Sequence, residues 1–355
     1  MLIFIGQTFP DNWYLGPYEK QTLKTITEQA ENRFPDDVNI VINTTWFFIN
    51  DNSKEWLRTQ EISQQYKSGN LFLTSFVDPA PHSYTTDKIT TLFPDFKIYK
   101  IGNFRGPHSW HFLSVIWADR FAKYNDDELI LSDIKHKFIS YSRKPHDHRI
   151  ALYQKLVDNN LLDSGIATLG KSTDRFIANN PNNYVSLLGE NYVDYKEHGH
   201  WYEDNPSDDF GIPHDIFSLG KMDIWQHHFL NVVNESMPND TNFTKQEIMI
   251  TEKTLKPIIG MRPFLINGDT EIYQWLRDRG FKTFNYYFPI EDIENTHKLH
   301  NKIIEVLNWI KTQSNEELQD LYNQMLPDLI YNRNRFFKFA AEEKLRINKI
   351  GRAHV

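Results

Sequence analysis

The stretch Lys137-Phe-Ile-Ser-Tyr-Ser142, Arg143-Lys-Pro-His-Asp-His148, Arg149-Ile-Ala-Leu-Tyr-Gln-Lys-Leu-Val-Asp-Asn159 holds three kinds of local pattern in succession. Residues 137–142 are aromatic and β-branched enough to predict a strand, 143–148 form a polar loop, and 149–159 carry apolar residues at helical spacing. A strand that ends in hydroxyls and cations just before a helix opens has a chemical consequence. In a doubly wound sheet the loop after a strand faces the ligand crevice, and the first helical turn offers unpaired N–H groups to an anion. Arg143, Lys144 and Arg149 would surround a phosphate there, and a planar guanidinium can hold two phosphate oxygens at once. The same cations also fit a solvated loop that balances Asp147 and Asp158.

The alternation continues on both sides of this unit. Downstream, the patterns predict a strand at Phe229–Asn234, a helix at Thr251–Ile259, a strand at Arg262–Asn267, a helix at Asp269–Arg279 and a strand at Lys282–Phe284. Upstream, strands are expected at Leu2–Ile5, Val38–Ile42, Leu71–Phe76 and Lys97–Ile101, with helices at Glu19–Arg33 and His111–Lys123. Strand and helix in turn imply α/β layers with parallel sheets. Thr296–Lys311 and Asn315–Lys349 predict closing helices, and Asp194–Gly211 reads as a long acidic, aromatic loop. No internal repeat is visible. The polar turn Asn125-Asp126-Asp127-Glu128 sets the boundary, giving expected units at 1–133, 134–312 and 313–349. The final Ile350-Gly-Arg-Ala-His-Val355 reads as a translated sequencing adapter on a metagenomic read, so the natural C-terminus is expected to lie elsewhere.

Composition narrows the chemistry. The 355 residues suffice for about two domains at roughly 150 residues each. With 40% apolar, 14% aromatic and 24% charged residues, the chain is expected to bury real cores. It has no cysteine, which removes disulfides, thiolate metal sites and cysteine nucleophiles together. No segment approaches the roughly 20 apolar residues of a membrane helix, and Met1–Phe9 lacks a basic leader. The expectation is a soluble, cytoplasmic protein without a membrane span. A formal charge of −8 supplies no global field toward nucleic acid.

A second constellation spans Asn234-Glu235-Ser236, Ile250-Thr-Glu-Lys-Thr-Leu-Lys-Pro257 and Arg262-Pro-Phe-Leu-Ile-Asn-Gly268. Thr251 fits an N-cap, which puts Glu252 and Lys253 in the first helical turn. A carboxylate there could accept from vicinal ribose hydroxyls, and an ammonium could neutralise a diphosphate as a point charge. An ordinary cap with an acidic first-turn residue would read the same way.

Taken together, these stretches resemble the donor half of a GT-B glycosyltransferase, most nearly the fucosyltransferase-like pattern and the similar enzymes of tailed bacteriophages. The resemblance rests on the basic loop ending at Arg149 followed by Tyr153-Gln-Lys-Leu156 and Asp163-Ser-Gly165, on Asn234-Glu235-Ser236, and on Ile250-Thr251-Glu252-Lys253 with its following Pro263-Phe-Leu-Ile-Asn-Gly268. Lys256-Pro-Ile258, Arg262-Pro-Phe264 and Arg279-Gly-Phe-Lys-Thr-Phe284 look like the phage enzymes. It covers residues 137 to 285. It implies an α/β fold of two Rossmann-like domains facing a cleft, the first half on the acceptor side and the second binding a UDP- or GDP-sugar. Carried over by position, Arg149 and Lys253 would hold the diphosphate and Glu252 the ribose, with Arg143, Glu235 and Thr251 in the same donor set. Gly165-Ile-Ala-Thr168 lacks the family's second glycine and Asn234-Glu235 reverses its first two letters, which leaves base and sugar open.

Sugar transfer with inversion needs a base within reach of the acceptor hydroxyl. Asp78 follows a predicted strand and stands first, with His111 beside it; His82 and His108 are the other candidates. Asp78 also fits an Asp-Pro turn, and His108 and His111 fit a helix start capped by Ser109. The chain contains no Asp-Xaa-Asp triplet, and Asp292-Ile-Glu294 lies in a polar stretch. The pairs His146/His148, His198/His200 and His227/His228 lack the spacing that sets two imidazoles on one helix face. No metal or other cofactor is expected. The acceptor is a glycan or, given the phage-like pattern, a hydroxymethylated pyrimidine in DNA, the latter left open by Arg333, Arg335, Lys338, Lys344 and Arg346. The competing readings are a non-catalytic nucleotide- or glycan-binding protein of the same fold and a structural phage protein without a ligand.

Overall fold

The computed structural model describes residues 1–6, 16–44, 53–75, 83–102, 114, 117–118, 121–122, 124–142, 146–169, 219, 222–235, 250–269, 271–290, 293 and 295–348. The first half holds β1 (Leu2–Ile5), α1 (Gly16–Arg33), β2 (Asn39–Asn43), α2 (Lys54–Gln65), β3 (Gly69–Ser75), α3 (Ser83–Leu92) and β4 (Phe96–Gly102). The rest holds α4 (Asp126–Leu129), β5 (His136–Ser142), α5 (Asp147–Asp158), a 3₁₀ turn at Leu162–Ser164 and β6 (Gly165–Leu169), then α6 (Met222–Gln226), β7 (His228–Asn234), α7 (Glu252–Ile259), β8 (Phe264–Asn267), α8 (Glu271–Asp278), α9 (Thr296–Thr312) and α10 (Asn315–Asn348).

The strands form two four-stranded sheets, ordered β1-β2-β3-β4 and β6-β5-β7-β8, and every pairing is parallel. Parallel sheets need both faces covered, and the side-chain alternation along β2 and β3 supplies this. Ile40, Ile42, Leu71 and Leu73 join Trp56, Ile62, Ile89 and Phe93 on one face. Val41 and Phe72, one residue out of phase, join Leu23, Ile26 and Ala30 of α1 on the other. In the second sheet β7 is buried along its whole length. The long α10 packs against α1 and α7, and its Tyr322 hydroxyl accepts from the Leu131 N–H and donates to the Met261 carbonyl, 3.2 Å each.

The expected elements are present at β1, with the same ends, and with shifted ends at β2–β5, β7, β8, α1, α5 and α7–α10. Of the expected helix at His111–Lys123, residues 114, 117, 118 and 121 are described and helical. Asp194–Gly211 lies outside the described residues. The expected strand at Lys282–Phe284 is a correction, because that segment is not paired to a sheet. Its backbone is taken by α10 instead: the Lys282 N–H donates to Asn332 Oδ1 at 2.7 Å, and Asn332 Nδ2 donates to the Lys282 carbonyl at 2.8 Å. β8 begins at Phe264, two residues later than the pattern suggests, since Met261 has a φ of 51° and the Arg262 N–H is bonded to the Pro257 carbonyl. β6, α2, α3 and α6 were not foreseen, and the polar turn expected at Asn125–Glu128 is instead the capped start of helix α4. Gly165 opens β6 where any side chain would collide with the chain next to it, a Cβ falling 2.4 Å from the Phe138 carbonyl oxygen.

Candidate functional site

The strand order β6-β5-β7-β8 makes the chain leave β5 toward one edge and return to β7 on β5's other side. The C-terminal ends of β5 and β7 therefore flank a topological switch point, the place where open α/β sheets bind ligands. Ser142 ends β5 and Asn234 ends β7. The described residues Arg149 and Thr251 of the two elements singled out above meet here through one residue, Glu235.

Glu235 follows β7 directly and is fully buried. Its carbonyl oxygen accepts three hydrogen bonds from the first turn of α5: Arg149 Nε at 3.2 Å, Arg149 Nη2 at 2.8 Å and His148 Nε2 at 2.9 Å. Its carboxylate enters the start of α7. Oε1 accepts from the Thr251 N–H at 3.1 Å, the Thr254 N–H at 3.2 Å and Thr254 Oγ1 at 2.6 Å, while Oε2 accepts from Thr251 Oγ1 at 2.7 Å. An anion on the free N–H groups of a helix N-terminus is stabilised by hydrogen bonds and by the helix dipole. Here that anion is the protein's own Glu235, so α7 is capped from within.

Thr251 is the N-cap of α7, as its position before an apolar run suggests, and its Oγ1 accepts from the Lys253 N–H at 3.4 Å. Lys253 Nζ donates to Thr251 Oγ1 at 3.1 Å and forms an ion pair with Glu252 Oε1. The two side chains stay 29% and 21% exposed, so the pair forms the accessible rim of the site. Burial disfavours the charged carboxylate of Glu252, yet the Lys253 ammonium and Lys256 outweigh it and hold its pKa at about 2.

A polar ladder lies beneath. Asn234 and Asn267 occupy paired positions at the ends of β7 and β8. Asn234 Nδ2 donates to Ser140 Oγ at 2.9 Å, Asn267 Nδ2 donates to Asn234 Oδ1 at 2.8 Å, and His300 Nε2 of α9 lies 2.9 Å from Asn267 Oδ1. All four residues are buried. The sequence reading missed this ladder, although asparagine as the last residue of successive strands was its visible signal. The first sheet ends similarly, Asn43 Nδ2 donating to the buried Glu19 carboxylate at 2.7 Å.

Of the expected site residues, the structure brings together Arg149, Glu235, Thr251, Glu252 and Lys253. Asp78, His111 and Arg143 lie outside the described residues, as do His82 and His108. Among the described residues no three His, Asp or Glu side chains converge on a common metal position. His148 and His228 are held instead by Glu235 and by the Ile224 carbonyl. Two of the cations named for duplex DNA turn inward: Arg333 bonds Asp126 Oδ1 at 2.7 Å and the Ile259 carbonyl at 2.8 Å, and Arg335 bonds the Arg279 carbonyl at 2.6 Å. Among the described residues no helix is long and apolar enough to cross a membrane.

No protein-family model and no curated protein matches the chain. Among solved structures it is similar to the N-terminal domain of Candida albicans trehalose-6-phosphate phosphatase, at 9% identity over 95% of this chain and 77% of that one, with a TM-score of 0.38. A likeness at that level carries no argument about activity.

Proposed function

We propose that the chain is a metal-independent glycosyltransferase that moves a sugar from a UDP- or GDP-sugar to an acceptor hydroxyl. The observation that carries this reading is the convergence at Glu235. The basic loop ending at Arg149, the Asn234-Glu235-Ser236 element and the Thr251-Glu252-Lys253 element resemble a GT-B donor half in their order along the sequence, and Arg149, Glu235 and Thr251 from the three meet in the fold. The start of α5 and the Lys253 ammonium supply positive potential there, which can stabilise a leaving diphosphate without a metal ion. The absence of an Asp-Xaa-Asp triplet agrees with that chemistry.

In this reading Lys253 exchanges its Glu252 partner for a diphosphate oxygen, and the released carboxylate becomes available to a ligand hydroxyl. Arg149, buried against Glu235, acts by setting the two helix starts. The acceptor base, Asp78 or His111, belongs to the first half. The inward turn of Arg333 and Arg335 favours a glycan acceptor over duplex DNA.

Thermal shifts with UDP, GDP, CDP and ADP, measured without added metal, test the proposal, since a ligand that binds the native state raises the melting temperature by mass action. One nucleotide is expected to stabilise the wild type and to lose most of that effect in Lys253→Ala. If none of the four stabilises the wild type, the donor-site reading is wrong.

A further inference from the structure

The site holds a second recognition group, and the logic of its hydrogen bonds identifies it. His148 occupies the first turn of α5 and is only 5% exposed. Its Nε2 lies 2.9 Å from the Glu235 carbonyl oxygen. A carbonyl oxygen can only accept, so Nε2 must carry the proton. Arg149 delivers two further donors to the same oxygen, which fixes the peptide and with it the plane of the imidazole. In the neutral ring Nδ1 is then a lone pair. Among the described residues Nδ1 has no hydrogen-bond partner, and His146 stacks near the ring with centroids 6.0 Å apart.

A neutral lone pair at a switch point discriminates between ligand groups. It repels the oxygens of a phosphate and accepts from a hydroxyl. The Glu235 carboxylate is spent on α7, which leaves His148 Nδ1 and the Glu252 carboxylate freed from Lys253 as the acceptors for ligand hydroxyls. We propose that His148, fixed as the Nε2–H tautomer by the Glu235 carbonyl, accepts a hydrogen bond at Nδ1 from a ribose hydroxyl of the bound nucleotide. This rests on the donor-site reading above and assigns to His148 part of the ribose recognition that the sequence resemblance implied for Glu252 alone.

The variant His148→Gln tests it, because a glutamine amide can still donate to the Glu235 carbonyl while offering nothing in place of Nδ1. Binding of GDP and UDP is compared with that of their 2′,3′-dideoxy counterparts in wild type and variant. The wild type is expected to prefer the ribonucleotide about tenfold, the factor one good hydrogen bond to a buried group provides. The variant should melt at the wild-type temperature and show a clearly smaller preference. If His148→Gln keeps the full preference for ribose, the assignment to His148 is overturned while the donor site stands. If neither nucleotide binds the wild type, both readings fall. Should the variant not fold, the ¹⁵N resonance of Nδ1 in wild-type protein decides: a shift on adding GDP or UDP that the dideoxy nucleotide does not produce supports the proposal, and no shift overturns it.

Discussion

The Arg149 guanidinium and the Glu235 carbonyl oxygen, 86 residues apart in sequence, are joined by two hydrogen bonds of 2.8 and 3.2 Å in a fully buried setting. The same Glu235 sends its carboxylate into α7, so one residue at the end of β7 sets the positions of two helix starts at once. That link brings Arg149, Thr251 and Thr254 together around one residue.

Removing the Glu235 carboxylate should therefore unsettle the fold before it changes any chemistry. Glu235→Ala orphans the N–H groups of Thr251 and Thr254 in a buried place, at roughly 1 to 3 kcal/mol each. Urea unfolding should show a lower midpoint with an unchanged slope. Glu235→Gln keeps one accepting oxygen and should lose clearly less; equal losses in the two variants would contradict the capping role.

Acid should weaken the protein through His148. Burial and the neighbouring Arg149 cation hold the folded-state pKa at about 3, well below the ordinary 6.5, with His146 and His300 adding to the effect and the Glu235 carbonyl opposing it. The unfolded chain thus binds a proton that the native state refuses between pH 6.5 and 3. The contribution is fully present above pH 6.5 and lost as pH falls toward 3, at up to about 1.4 kcal/mol per pH unit. Chemical denaturation of His148→Gln over this range should show a shallower decline than wild type.

Glu252 adds to the same acid sensitivity. Its folded pKa of about 2 lies below the ordinary carboxylate value, so the stability it contributes is present above about pH 4.5 and lost as pH falls through 2. Lys253→Met removes the main partner and leaves burial to act, which should move the carboxyl titration upward. A carbon-detected NMR titration of Glu252 reads this directly, and an unmoved titration would mean that the ion pair does not set it.

Arg333 is expected to be structural. It binds the carbonyls of Tyr124 and Ile259 together with Asp126, and its side chain is 5% exposed. Arg333→Ala should cost on the order of 2 kcal/mol through the partners it leaves behind. The salt dependence of any duplex binding should stay unchanged, since a phosphate-contacting cation would lower that slope.

Gly165→Ala places a methyl group 2.4 Å from the Phe138 carbonyl oxygen, an atom of the adjacent strand that cannot step aside. A loss of about 3 kcal/mol is expected. A melting temperature equal to wild type would show that β5 and β6 separate more easily than their packing implies.

Much of this architecture was legible in the sequence because its causes are local. Apolar runs of four to seven residues bounded by polar turns mark β1 to β5 and β7, and the apolar spacing of Thr296–Thr312 marks α9. Thr251 was readable as a cap for the same reason, since a hydroxyl before an apolar helix acts within three residues. Lys282–Phe284 reads as a strand by composition, and nothing nearby in sequence reveals that Asn332, 50 residues on, binds its backbone first.

The sequence by itself determined where strands and helices alternate, that both sheets are parallel α/β layers, and which cations and carboxylates follow the strands, because propensity and periodicity act over a few residues. Only the tertiary structure decided which of those groups turn inward onto the protein. Glu235 and Arg149, expected from sequence to meet a donor, Arg333, named for DNA, and Arg262 are all buried, each serving carbonyls or N–H groups contributed by distant elements. A buried polar atom must find its partner inside the fold, and that partner is chosen by packing across the sheet, where sequence separation has no meaning.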